Sequence, residues 1–337
     1  MSELAERAFF DSVAPLRGAL RLHCYRMLGS SFDGDDAVQE TLIRAWRSQD
    51  TLDDPSRLRP WLYRIATNAC LDELRKRPKR GMPQDASSPV DAAWPLPPPG
   101  DEATYIEPMP DLWLSGEATD PAARYSLKES VALAFVAALH VLSPAQRATL
   151  LLRDVVGLSA EETSRALDLG LAATNSALFR ARETVAKKLG GREAGDFAEA
   201  AGDIDEALLA RYVRAYEDAN VDELIALFHE DVTTAMPPFA EWLFGRTANE
   251  RFYRQMLATG PTGVKMMRTR ANARPALAFY RMPAPAGPST ESPPHRLTAI
   301  QVLGVRDGKI ANIDHFMLPR LAHVFGLPET WDARALR

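Results

Sequence analysis

Apolar residues recur at helical spacing over two separate stretches of the chain. In the first, from about Glu3 to Arg77, Asp33-Gly34-Asp35-Asp36 opens a helix running to about Trp46. Acids in a first turn match the helix dipole and supply N-caps. Val38, Leu42, Ala45 and Trp46 form its inward stripe, while Asp36, Gln39, Glu40, Ile43 and Arg44 fall on another face. A second helix follows Arg59-Pro60, with Leu62, Ile65, Ala69 and Leu74 toward a core. Its other side carries Arg64, Asn68, Asp72, Arg75 and Lys76. Helical signals return between about Ala122 and Leu189. Ser143-Pro144-Ala145-Gln146 and Ser159-Ala160-Glu161-Glu162 each start a helix as a capping box. Asp168-Leu169-Gly170 is a short turn, and a longer helix then places Leu178, Ala181, Val185 and Leu189 inward. Two helices joined in this way make a helix-turn-helix.

From Asp203 the pattern changes. Two helices are predicted over residues 208–220 and 221–232, so that Asp231 ends a helix. Strand-like alternation follows over 264–280 and 296–317, with Asp314-His315 near the domain edge. Asp307-Gly308 suits a tight turn between the last two strands. Nine prolines between Pro78 and Pro110 exclude a regular helix or sheet core there. The chain therefore divides into a helical unit (1–77), an acidic, proline-rich linker (78–121) that is mostly extended or disordered, a second helical unit (122–191), an α+β domain (203–320) and a tail (321–337) available for contacts. Gly190, Gly191 and Gly195 mark a flexible joint. Only the apolar residues of Asp111-Leu112-Trp113-Leu114-Ser115-Gly116 suggest that part of the linker docks on the protein itself.

Charge sharpens this picture. The net charge of −5 argues against a protein that coats nucleic acid indiscriminately, but the average hides a segregation. Residues 57–80 hold eight Arg and Lys against Asp72 and Glu73, whereas 81–123 hold eight acids and no Lys, Arg or His. A basic helix followed by an acidic tether is more informative than the net charge, and basic side chains along a helix can neutralise DNA phosphates. Two cysteines, Cys24 and Cys70, are too few for a disulfide framework or a cysteine metal site. No apolar run reaches the ~20 residues of a membrane span, and no signal-peptide pattern is present. These features predict a cytoplasmic protein without metal, cofactor or membrane association.

Residues 35–46, Asp35-Asp36-Ala37-Val38-Gln39-Glu40-Thr41-Leu42-Ile43-Arg44-Ala45-Trp46, resemble the sigma-factor region 2 helix that grips core RNA polymerase. Residues 59–68 and onward to Arg77 resemble the helix that reads and melts the −10 element. The resemblance implies polymerase contacts from Asp35, Asp36, Gln39, Glu40 and Arg44. It implies −10 contacts from Trp61, Tyr63, Arg64, Asn68, Asp72, Arg75 and Lys76. Trp61 and Tyr63 would stack on unpaired bases, although a core position suits Trp61 as well. The loop at about 48–58 would capture flipped bases. The stretch from Leu142 to Arg182 is similar to sigma region 4, which implies −35 contacts from Asn175, Ser176, Phe179, Arg180 and Arg182. The linker has no pattern for a region 3. That points to an alternative sigma factor of the extracytoplasmic-function group, whose acidic linker imitates nucleic acid in the polymerase channel.

Residues 208–232, Gly245-Arg246 ahead of a helix with Phe252 and Tyr253, and the terminal strands resemble the NTF2/SnoaL fold, a curved sheet over helices with a pocket in its cone. The expected fold class is thus two all-α domains plus this cone-shaped α+β domain. Candidate pocket residues are His229, Asp231, Trp242, Phe244 and Tyr253, with Asp314, His315, Phe279 and Tyr280 as further candidates. The resemblance implies partners in core polymerase, promoter DNA and a small-molecule ligand of the C-terminal domain, which would modulate activity. It implies no catalytic residues and no enzyme. Two alternatives stand beside it: a ligand-sensing helix-turn-helix regulator, and a SnoaL-like enzyme fused to a DNA-binding module.

Overall fold

Ser30 starts the first long buried helix, because its side chain accepts a hydrogen bond from the Asp33 amide at 3.2 Å. That cap places the start at Ser31, two residues before the acids that signal it in the sequence. The structure is a computed structural model and describes residues 3–91, 94–115, 127–190, 205–259, 263–282 and 294–331. It divides into two units. The first takes the described residues before Gly81 and those from Leu112 to Gly190; the second takes Gly81–Asp111 and the described residues from Asp205 onward. The glycine joint at 191 and 195 lies outside the described residues.

The first unit is helical: α1 (Glu3–Val13), α2 (Arg17–Leu28), α3 (Ser31–Arg47), α4 (Leu58–Leu74), α5 (Leu133–Val141), α6 (Pro144–Leu150), α7 (Ala160–Leu167) and α8 (Leu171–Lys188). A π-turn over Leu151–Val155 extends α6. The two helical stretches share one core, in which Leu20, Met27, Val38 and Leu62 pack with Leu139, Leu151, Leu178 and Ala181. Polar groups cross this core. Arg147 is buried and donates to the Leu139 carbonyl at 3.0 Å and to the Met27 carbonyl, closing the C-terminal end of α2. Burial without a carboxylate partner lowers the Arg147 guanidinium to about 10. Gly29 ends α2 at φ 69, and a Cβ there would lie 2.6 Å from the buried His140 ring. Glycine is therefore demanded twice, by conformation and by space.

The second unit contains α9 (Glu206–Glu217), α10 (Val221–Ala226), β1 (Phe228–Ala235), β2 (Trp242–Phe244), α11 (Gly245–Thr259), β3 (Val264–Ala271), β4 (Arg274–Arg281), β5 (Arg296–Arg306), β6 (Lys309–Phe316) and α12 (Leu321–Phe325). The sheet runs β2-β1-β6-β5-β4-β3, with β1 and β6 parallel and the other pairs antiparallel. Tyr212, Tyr216, Phe252 and Tyr253 from the helices pack on Phe228, Leu277 and Phe279 from the strands. Asp307 at φ 52 and Gly308 at φ 70 form the expected tight turn. The helix expected over 221–232 stops at Ala226. Val232, Thr233 and Thr234 are β-branched, and 228–235 pairs with β6 and β2, so Asp231 lies in a strand and not at a helix end. Asp314 and His315 sit on β6 inside the sheet, buried, rather than near an edge.

Two further expectations are corrected. The proline-rich segment is not a free tether: residues 81–111 belong to the second unit, with Ile106, Glu107 and Met109 fully buried. It has no ladder of its own. Its apolar residues find partners, however, and its acids meet arginines: Asp91 with Arg251 at 2.5 Å, Asp111 with Arg270 at 3.0 Å, and Glu102 and Glu107 with Arg320 at 3.0 and 2.6 Å. Composition alone describes the segment's local preference and says nothing of these partners. The described part of the tail, up to Trp331, likewise packs on the second unit. Leu321 and Phe325 are buried, and Tyr280 donates to the Pro328 carbonyl at 2.9 Å. Apolar i, i+4 spacing in this short helix suffices to seat it on the sheet.

Candidate nucleic-acid interface

Asp168, left-handed at φ 52, closes α7, and Gly170 caps α8 two residues later. The turn brings α8 out with Thr174, Ala177, Leu178, Ala181 and Val185 inward. Asn175, Ser176, Phe179, Arg180 and Arg182 all fall on the exposed side. Phe179 is 63% exposed. Arg180's side chain has no hydrogen bond or ion pair among the described residues. Arg182 is engaged by a forked pair of hydrogen bonds to Asp154 at 2.9 and 2.6 Å. One expected contact is thus free and another is held by an internal carboxylate.

On α3, Asp36 and Gln39 are exposed and unpartnered among the described residues. Arg21 Nε lies 3.0 Å from Asp35 Oδ1, an ion pair whose N–H is not aligned for a hydrogen bond. Glu40 pairs with Arg44 at 2.7 Å, and Arg44 reaches across to Asp72 on α4 at 2.8 Å. Those hydrogen bonds to Asp72 and Glu40 raise the Arg44 pKa. Asp72 also takes Arg75 at 2.8 Å, and Lys76 pairs with Glu73 at 3.3 Å. Residues assigned from sequence to two different functions therefore form one network across α3 and α4. Arg64 and Asn68 remain exposed.

Tyr63 departs from its expected role. Its ring is buried at 4% exposure, edge-on to His23 at 5.2 Å, with the Arg59 guanidinium 5.5 Å from its centroid. It follows Leu62 into the core and presents no face to a base. Trp61 is half-buried and donates from Nε1 to Thr51 Oγ1 at 3.2 Å. Together with Thr51, Asp54, Arg57 and Arg64 it lines a cavity of about 180 Å3, whose remaining wall is Glu162, Arg165 and Ala166 of α7. This is where the base-capturing loop was expected.

Three family descriptions match the chain: Sigma-70 region 2 over residues 13–80, Sigma-70 region 4 over 132–185, and a SnoaL-like domain over 209–313. The ECF RNA polymerase sigma factor SigG of Mycobacterium tuberculosis is 36% identical over 332 residues, covering 96% of this chain and 84% of the relative. The chain belongs to the ECF RNA polymerase sigma factors. SigJ of the same organism is 28% identical over 88% of this chain and 91% of its own length. The fold is similar to the crystal structure of that SigJ, with a TM-score of 0.54 and 22% identity over 93% of this chain and 98% of the other. The protein is an alternative sigma factor of transcription initiation with a SnoaL-like domain joined to it.

In this sigma factor the SnoaL-like unit holds a cavity of about 290 Å3. Of the sequence candidates, Tyr253 lines it, as does the further candidate His315. The other four are elsewhere. His229 and Asp231 flank Arg306 at 2.9 and 3.3 Å, Trp242 donates from Nε1 to the Ser87 carbonyl at 3.0 Å, and Phe244 is 51% exposed. Strand alternation turns His229 and Asp231 away from the core face that carries Phe228 and Val232. The sequence reading missed Arg281, Tyr216 and Gln301, and it missed Trp94–Pro99, which covers the opening. A tryptophan among prolines was the one signal for the latter.

Asp314, beside this wall, yields a pH prediction. Burial pushes its carboxyl up to about 6, with Arg274 pulling partly back. A carboxyl whose pKa is raised on folding stabilises most below its unfolded value, and that stabilisation is lost as pH rises through the folded value. Unfolding free energy should fall by about 2 kcal/mol between pH 4 and pH 6 on this account. Calorimetry of the chain and of Asp314→Asn at pH 4.5 and 6.5 checks it: the loss should be smaller in the asparagine variant, and an equal loss in both removes Asp314 as the cause.

Proposed function

We propose that this sigma factor binds core RNA polymerase through the exposed side of α3, the −10 element through α4 and its preceding loop, and the −35 element through α8. It does so in the cytoplasm, with no catalysis of its own and with the SnoaL-like unit modulating it. The observation that carries the reading is the exposed side of α8. An unpaired Arg180, an exposed Asn175 and Phe179, and small residues at Ala172, Ala173 and Ser176 lie on the second helix of a helix-turn-helix. Small side chains let such a helix sit deep in the major groove, where Arg reads guanine and Asn reads adenine. On α4, Arg64 and Asn68 are the accessible candidates for the −10 strand. The cavity at Trp61 shares its lining with Glu162, Arg165 and Ala166 of α7, so a flipped base seated there would also touch α7.

An enzymatic SnoaL-like domain is the weaker reading. Its general base would need a pKa near neutrality inside the cavity; burial lowers the cavity's imidazole, His315, to about 3, and Asp314, raised to about 6, does not line it. The test is transcription in vitro with bacterial core polymerase over a genomic promoter library, comparing the full chain with a truncation after Gly191. Transcripts from defined start sites support the proposal, and the difference between the two gives the sign of control. Neither transcripts nor association with core would favour a helix-turn-helix regulator that works without polymerase. On α3, replacing Asp36 and Glu40 together with lysine reverses charge on the proposed polymerase face. Juxtaposing like charges at an interface costs several kcal/mol, so core affinity should drop by about tenfold or more. Unchanged assembly in a pull-down with core would remove α3 from the interface.

A further inference from the structure

We propose that the cavity of the SnoaL-like unit binds a small organic acid, one carboxylate on a flat apolar body, beneath the segment Trp94–Pro99. The inference is independent of the polymerase and promoter contacts above. A cavity of about 290 Å3 stands at the lower end of the range for small-molecule sites, suited to a ligand of one or two rings. Its walls are mostly apolar, with Phe239, Phe252 and Met256 opposite Met236. No Asp or Glu lines it, yet Arg281 does. The Arg281 guanidinium hydrogen-bonds the Tyr216 hydroxyl, but its Nε is buried without a partner and no carboxylate pairs with the side chain among the described residues.

The neighbouring groups add a second donor. Tyr212 donates its hydroxyl to Gln301 Oε1 at 2.7 Å, which leaves the Gln301 amide nitrogen facing His315 Nδ1 at 3.2 Å. That nitrogen donates, so Nδ1 accepts. Burial keeps the imidazole neutral, with its pKa lowered to about 3. Its one proton is therefore on Nε2, which has no partner among the described residues. The wall thus offers a guanidinium and an imidazole N–H in apolar surroundings and offers no acceptor charge. A carboxylate answers both donors, and its charge offsets a cation that has no counter-ion among the described residues. A cationic ligand would be repelled, and a neutral one would leave the guanidinium with the Tyr216 hydroxyl but no counter-charge.

The covering segment is anchored on both sides, by Asp91 to Arg251 at 2.5 Å and by the Gly100 amide to the Pro238 carbonyl at 2.8 Å. Trp94 packs edge-on against Phe252, with ring centroids 5.9 Å apart. A ligand in the cavity touches this segment directly and holds it in place.

Calorimetric titration of the full chain with 2-naphthoate, and separately with its neutral isostere 2-naphthamide, tests the proposal. The expected result is saturable naphthoate binding about tenfold or more tighter than the amide, the scale of a charge-assisted hydrogen bond. Arg281→Met should erase that preference, and Met256→Trp should block both probes by filling the cavity. Equal affinities for the two probes, or no saturable naphthoate binding, overturns the proposal. Should Arg281→Met fail to fold, the ratio of the two probes in the unaltered chain still decides.

Discussion

Replacing Asp33 with alanine is expected to destabilise the helical unit by about 3 kcal/mol or more, the range for breaking a buried ion pair. Asp33 accepts from Arg77 at 2.7 Å and from Arg80 at 2.8 Å, and the Asp33 and Arg80 side chains are 8% and 5% exposed. Removing the carboxylate leaves the Arg80 guanidinium buried beside a void, which costs more than the pair itself contributes. Asp33→Asn separates the two causes, because it keeps the shape and loses the charge. Urea denaturation monitored by helical circular dichroism reads both variants. A cost below about 1 kcal/mol for Asp33→Ala would mean that Arg80 is held well enough by its other partners. The ion pair belongs to the fold; Asp36 and Gln39, the proposed polymerase contacts, are exposed on the same helix.

The second large effect is expected at the DNA. Arg180→Ala should weaken binding to the cognate −35 duplex by roughly 10- to 100-fold, the value of one good base contact. Association with core polymerase should be unaffected. Arg182→Ala should cost less, because its guanidinium already donates from Nε and Nη2 to Asp154 and gains little by exchanging one anion for another. Fluorescence anisotropy with a −35 duplex measures both, at a stated salt concentration since phosphate contacts release counterions. If Arg182→Ala proves the larger loss, the Asp154 pair opens on DNA and the ranking of the two arginines reverses.

Much of the candidate site was legible in the sequence because its signals are local. Capping boxes at Ser143 and Ser159 form as expected, each with its Gln or Glu returning a hydrogen bond to the cap amide. The outward residues of α8 follow from helical period alone. Tyr63 shows where period fails. It sits next to Leu62 on the inward half of α4, and only the proximity of His23 and Arg59 reveals that the ring is enclosed. The cavity residues were the least legible. Strand alternation gives two faces and not which one meets the helices, so His229 and Asp231 were placed in a pocket they do not reach.

The sequence by itself determined the capping boxes at Ser143 and Ser159, the helix-turn-helix, the hairpin at Asp307-Gly308 and the resemblance to the ECF sigma factors, all properties of residues close together in the chain. Only the tertiary structure decided that the two helical stretches share one core, that α3 and α4 join their charges through Arg44 and Asp72, and that the acidic, proline-rich segment closes the SnoaL-like cavity. Prolines remove backbone donors and forbid a ladder, so such a segment reads as disordered whenever its partners are unknown. Here the partners are arginines more than a hundred residues away, Arg251, Arg270 and Arg320, and an apolar cavity mouth that no local pattern encodes.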